Sequence, residues 1–145
     1  MLKILIGVDG SELALDAVRH ALRLVHEGLQ AEFVLANLQE SATLYEMVVA
    51  HDPKVLQEVS QDAGTHQLAS AQALVSAAGV AFASVVESGD PVNGLLDLVE
   101  RMACDAVILG AKGHGNLRGA LLGSVSQQMV HACPVPVTVV KHPQD

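Results

Sequence analysis

Aromatic residues are almost missing. The 145-residue chain has one tyrosine, two phenylalanines and no tryptophan. A stacking platform for single-stranded nucleic acid needs several exposed rings, so that class is excluded, and the core must be built from Val, Leu, Ile and Ala. Basic residues are also scarce: eight stand against sixteen acids, and the formal charge of −8 has the wrong sign for neutralising a phosphate backbone. No nucleic-acid partner is expected. The two cysteines, Cys104 and Cys133, match no CxxC or zinc spacing and sit among apolar neighbours, as small buried hydrophobes would. Long hydrophobic runs are lacking too. The apolar stretch after Lys3 is broken by Gly7 and Asp9, too soon for a signal-peptide core or a membrane span. The expectation is a cytoplasmic protein with no membrane partner.

What is present points to a folded domain. Hydrophobic residues make up 50% of the chain and charged residues 17%, too apolar a mixture for disorder. The length suits one domain, residues 1–145, able to bury roughly 70% of its unfolded surface without a disulfide or metal staple. The charge is uneven. Met1 to Asp105 carries fifteen acids and five bases, a balance of −10, whereas Ala106 to the end carries one acid and three bases, a balance of +2. The 39 residues from Ala106 to Gln144 contain no carboxylate, which is compatible with a surface that tolerates an anion.

Two kinds of segment alternate along the chain. Lys3 to Val8 reads as a buried parallel strand, and Asp9-Gly10-Ser11 as a turn and helix cap before apolar residues at helical spacing from Leu13 to Val25. Gly28 ends that helix, and Glu32 to Leu38 is a second strand. After a polar stretch, Gln39 to Asp52, Pro53 opens a helix that runs to Gly79. Val80 to Val86 is a third strand, Ser88 to Pro91 a turn, and Val92 to Val99 a short helix. Ala106 to Leu109 is a fourth strand, Gly110 to Gly123 a loop with five glycines, and Ser124 caps a helix through Val130. Val135 to Val140 is the last strand. The order β-α-β-α-β-α-β-α-β predicts an α/β layer fold with a parallel sheet and right-handed crossovers.

In open sheets of this kind, ligands bind beyond the carboxyl ends of the strands where strand order reverses. Asp9 ends the first strand, and Leu109 leads into the glycine-rich loop at the end of the fourth. Gly110, Gly113, Gly115, Gly119 and Gly123 would allow close approach and positive φ, turning amides inward as an anion nest. Gly123-Ser124 then meets a helix N-terminus, which favours phosphate, and the hydroxyls of Ser124 and Ser126 would add donors. Asp9 has two readings: a turn or cap residue, or an acceptor for ribose hydroxyls. Lys112, Arg118 and His114 are either phosphate partners or solvated loop groups. Neither G-x-x-x-x-G-K-[ST] nor G-x-G-x-x-G is present, and the seven histidines show no i,i+4 pair or H-E-x-x-H, so no metal site is expected. Ser124 and Ser126 lack G-x-S-x-G context, and no acid follows Asp105 until the terminus. No catalytic residue is assigned.

At these residues the chain resembles the universal stress proteins. Their nucleotide-binding members carry Gly, two residues, Gly, nine residues, then Gly followed by Ser or Thr. Here that pattern is Gly110, Ala111-Lys112, Gly113, His114 to Leu122, and Gly123-Ser124. The opening IGVDGSE, the strand DAVILG and the closing PVPVTVVK also fall where the family has equivalents. The resemblance implies a Rossmann-like open five-stranded parallel sheet, strand order 3-2-1-4-5, with helices on both faces. It implies an adenine nucleotide, ATP or its ADP or AMP forms, with Mg²⁺. Asp9 would meet the ribose above a small Gly7, and Leu38 would contact adenine. Leu109, Gly110, Lys112 and Gly113 would border the ribose and first phosphates; Gly123, Ser124, Val125 and Ser126 would bind the phosphate tail. Asn37 departs from the pattern, standing where many relatives have His. In the family-like order the strand Val135 to Val140 is an edge, and a homodimer pairing through it is expected. The reading is a stress-response regulator or sensor acting on an unknown protein partner. A slow ATPase or phosphotransferase, and an interaction protein with a vestigial pocket, are the alternatives.

Overall fold

Successive side chains of a strand point to opposite faces, and in the central strands of this protein both sets are apolar. Ile4 and Ile6 alternate with Leu5, Phe33 and Leu35 with Val34 and Ala36, and Ile108 with Val107 and Leu109, all of them buried. Each face therefore needs a covering layer of helices. The computed structural model describes residues 1–40, 53–111 and 123–142. Its elements run β1 (Leu2–Gly7), α1 (Glu12–His26), β2 (Ala31–Gln39), α2 (Pro53–Ala77), β3 (Phe82–Ser88), α3 (Pro91–Arg101), β4 (Ala106–Gly110), α4 (Ser124–Ala132) and β5 (Val137–Val140). The strands form one sheet in the order β3-β2-β1-β4-β5, and every neighbouring pair is parallel. The fold is the α/β architecture expected from the alternation of segments.

Two cores lie on the two faces. Ala14, Ala17, Val18 and Ala21 of α1 and Leu68, Ala71 and Val75 of α2 cover Ile4, Ile6, Phe33, Leu35 and Ile108. Val92, Leu95, Leu98 and Val99 of α3 and Met129 of α4 cover Leu5, Val34, Ala36, Val107 and Leu109. Small residues on α1 let the helix sit close to the sheet, which matters for the site below. Cys104 is buried and burial pushes its thiol up, whereas Cys133, the C-cap of α4, is only half-buried.

Several element ends differ from the sequence expectation. Val80 lies in the turn that closes α2 and not in β3: its amide donates to the Val75 carbonyl at 3.3 Å and Gly79 (φ +73°) donates to Ser76, so β3 starts only at Phe82. The same closing turn ends α3 with Ala103 at φ +51°, a left-handed position that glycine usually fills. Pro136 stands just before β5 rather than within it. Its carbonyl still accepts from Val107 at 2.9 Å, but it has no amide to donate.

Candidate functional site

Strand order reverses between β1 and β4, so the connections leaving these two neighbours diverge to opposite faces and leave a crevice at their carboxyl ends. A cleft opens there with about 670 Å³ of empty space, solvent mouth included. Gly7, Asp9, Leu38, Leu109, Gly110, Val125 and Ser126, singled out from the sequence, all line it. Gly123 and Ser124 adjoin it at the start of α4 without being among the lining residues, and Lys112, Gly113, His114, Gly115, Arg118 and Gly119 lie outside the described residues. Sequence reasoning missed Val8, Ser11, Leu13, Ala14, Ala36, Glu40, Pro91 and Leu95 on the cleft wall. Glu40 follows the end of β2, and Pro91 opens α3. The position of each at a strand or helix end on the carboxyl edge was the available signal.

Asp9 is a turn residue that also lines the cleft. Its Oδ1 accepts the Ser11 amide at 2.9 Å and the Ser11 hydroxyl at 2.5 Å, an Asx turn that leads into α1, and the residue also lines the cleft. Ser11 in turn accepts the Ala14 amide at 3.2 Å and so caps the helix. Leu38 is held from behind by α3. A Cβ on Gly94 would come within 2.3 Å of the Leu38 Cδ1, so the glycine lets the helix seat that side chain against the cleft.

Two expectations about the glycines are corrected. Neither Gly110 nor Gly123 has a positive φ; the described glycines that do are Gly10, Gly28, Gly79 and Gly89. Gly110 is glycine for packing, because a Cβ there would lie 2.2 Å from the Leu13 carbonyl oxygen and 2.6 Å from its carbon. Gly7 is small chiefly toward Leu109, whose Cδ2 a Cβ would meet at 2.9 Å.

Three helices begin at the cleft, and they are terminated differently. Ser11 caps α1, and Asp90 caps α3 by accepting the Asn93 amide at 2.9 Å. The start of α4 has no side-chain cap: Gly123, not Ser124 as expected, is the N-cap, with φ −57° and ψ 160°. Ser124 is the first helical residue, so its hydroxyl is displaced from the capping position. The first helical hydrogen bond runs from the Gln127 amide to the Gly123 carbonyl at 2.9 Å, which leaves the amides of Ser124, Val125 and Ser126 without an acceptor inside the helix. Ser126 is buried and its hydroxyl donates to the Gly110 carbonyl at 3.3 Å, tying α4 to the end of β4. Its single proton is therefore engaged at that carbonyl. Asp9 and Glu40 are the charged groups among the described lining residues. No set of three or more His, Cys, Asp or Glu residues able to hold a metal ion is found among the described residues.

The chain is similar to known proteins along its length. The universal stress protein family matches residues 1–141. A universal stress protein of Methanocaldococcus jannaschii is 26% identical over 142 residues, covering 98% of this chain and 83% of the relative. Hypothetical protein MJ0577, the subject of a structure-based assignment of biochemical function, superimposes with a TM-score of 0.80 at 23% identity, covering 99% of this chain and 98% of its own. A universal stress protein family protein from Arabidopsis thaliana, solved with AMP bound, gives a TM-score of 0.73 at 19% identity, with 100% and 94% covered. With residues 1–141 matched by the family model, the chain belongs to the universal stress protein family.

Proposed function

We propose that the protein binds an adenine nucleotide in this cleft and acts in the cytoplasm as a stress-response regulator whose surface answers to the bound nucleotide. The observation that carries the reading is the uncapped start of α4: it presents three amides with no acceptor among the described residues and the positive end of a helix dipole beside the cleft that Asp9 lines, while the other two helix starts at the cleft are already capped. The AMP bound to the Arabidopsis relative supports an adenine nucleotide as the class. In this reading Asp9 accepts from the ribose and Leu38 packs against adenine. Gly7, Leu109 and Gly110 shape the floor, and the amides of Ser124, Val125 and Ser126, with the hydroxyl of Ser124, receive phosphate. Gly123 keeps that approach open, and Lys112 and Gly113 continue the phosphate end. Mg²⁺ is carried by the phosphates of ATP.

Calorimetric titration tests this directly. ATP should bind, and Asp9→Asn, which keeps an Oδ1 acceptor for Ser11 while removing the charge, should weaken ATP and adenosine alike by about tenfold, the worth of one charge-assisted hydrogen bond. Phosphate release should stay below the roughly 10 s⁻¹ of dedicated enzymes. Absence of heat with ATP, ADP and AMP, together with no nucleotide in the freshly purified protein, overturns the reading.

The dimer proposal rests on the β5 edge. The carbonyls of Pro136 and Val140 face β4, so the amides and carbonyls of Val137 and Val139 face outward. A second copy pairing there covers them. Light scattering should give a dimer mass that Val139→Pro reduces to a monomer; a monomeric wild type at micromolar concentration counts against it.

A further inference from the structure

Beneath the Asp9 turn lies a polar junction that none of the site features require. Asn37 on β2 is fully buried. Its Nδ2 donates to the Val8 carbonyl at 2.8 Å and to the Gln67 Oε1 at 2.7 Å, so both of its protons are used. Gln39, two residues on along the same face of β2, donates from Nε2 to the Asn37 Oδ1 at 2.7 Å and to the Gln67 Oε1 at 2.9 Å. Gln67 comes from the middle of α2 and fills both lone pairs of its carbonyl with these bonds. No buried side-chain N or O among the described residues is left without a partner, so the junction is satisfied within itself.

Two glycines bring these parts together. Gly64, one turn before Gln67 on α2, lets the helix approach: a Cβ there would lie 2.8 Å from the Asn37 Oδ1 and 2.4 Å from Val86 Cγ1. Gly10, with φ +86°, sits directly on the Gln67 side chain, where a Cβ would meet Gln67 Cγ at 2.9 Å. The turn that carries Asp9 is thus gripped on both sides. The carbonyl before it is held by Asn37, and the glycine after it rests on Gln67. A buried amide network is costly when half made and rigid when complete, so fixing this turn is the use that matches its cost.

Building on the nucleotide reading above, we propose that Asn37 and Gln67 are positioning residues of the ribose end of the cleft, holding the Val8-Asp9-Gly10 turn from β2 and α2. Affinity for the nucleoside part of the ligand is then set partly by α2, which touches the turn but supplies none of the described residues of the cleft wall. The phosphate end, built on α4, is independent of it.

Gln67→Met and Gln67→Glu test this. Methionine keeps the bulk under Gly10 but accepts neither amide strongly, whereas glutamate keeps an acceptor for both. In the ligand-free protein, NMR order parameters of Asp9, Gly10 and Ser11 should fall in Gln67→Met from about 0.85 toward 0.6, with α1 beyond Ala14 unchanged, and should recover in Gln67→Glu. Adenosine binding should weaken about tenfold in Gln67→Met and stay within about twofold in Gln67→Glu, while inorganic tripolyphosphate binds all three proteins equally. Unchanged order parameters in a folded Gln67→Met protein, or equal losses for adenosine and tripolyphosphate, overturn the proposal. A wild-type protein that binds no adenosine, beside a Gln67→Met turn that loosens as expected, overturns the nucleotide reading while leaving the grip on the turn in place.

Discussion

Gly110→Ala should lower stability by roughly 3 kcal/mol, the upper part of the range for overpacking a close contact. The added Cβ would lie 2.2 Å from the Leu13 carbonyl oxygen and 2.6 Å from the carbonyl carbon. Those atoms belong to backbone in the first turn of α1, which Ser11 and Asp9 pin, so no rotamer change relieves the contact. Strand β4 cannot yield either, since it is paired on both sides, with β1 and with β5. The helix and the strand must part, and α1 shares with α2 the cover of one face of the sheet. Urea unfolding should show a midpoint about 1–2 M below wild type with a similar slope. An unchanged midpoint would mean that the glycine is there for a ligand after all and not for the approach of α1 to β4.

Gly123→Asp should move binding and stability in opposite directions. At φ −57° and ψ 160° the position has the backbone of an ordinary N-cap, which any residue adopts. An aspartate there can accept the Val125 or Ser126 amide and complement the dipole of α4, so stability should hold or rise by about 0.5–1 kcal/mol. The same carboxylate occupies the donors proposed for phosphate and repels it. At about 4 Å and an effective dielectric near 20, two like unit charges repel by about 4 kcal/mol before screening, so an ATP affinity loss of tenfold or more is expected. Adenosine, which has no phosphate, should bind as in wild type. Gly123→Ser, which caps without charge, should fall between the two. Thermal unfolding and calorimetry on these variants decide the matter, and an ATP affinity unaffected by the new cap would remove α4 from the site.

Both predictions depart from what the glycine pattern alone implies. Spacing singled out Gly110 and Gly123 as members of one phosphate loop, needing glycine for the same conformational freedom. In the folded chain one is glycine because a neighbouring helix backbone lies against it, and the other leaves a helix start without a cap. Asp9 shows the same division. Its place at the end of β1 was readable from the run KILIGV followed by DGS, and its Asx turn was among the readings that this tripeptide allows. That Gln67, nearly sixty residues further on, lies under the following glycine was not readable, because nothing local to either segment refers to the other.

The sequence by itself determined the number and type of the described elements and the fact that the sheet is parallel. Those properties are local: buried strands are short apolar runs, amphipathic helices repeat every three or four residues, and Gly28, Gly79, Asp90 and Pro91 punctuate them by their own backbone preferences. The sequence also marked seven of the fifteen described lining residues of the cleft, since a residue at the carboxyl end of a strand is placed there by topology whatever it packs against. Tertiary structure alone decided which glycine serves packing, which helix start is left uncapped, and how Asn37, Gln39 and Gln67 share their protons. It also brought Glu40, Pro91 and Leu95 to the wall of the cleft. Each of these depends on distances of a few tenths of an ångström between segments far apart in the chain. Such distances are set by the close packing of both helical layers on the sheet, to which every core residue contributes and which no single stretch of sequence encodes.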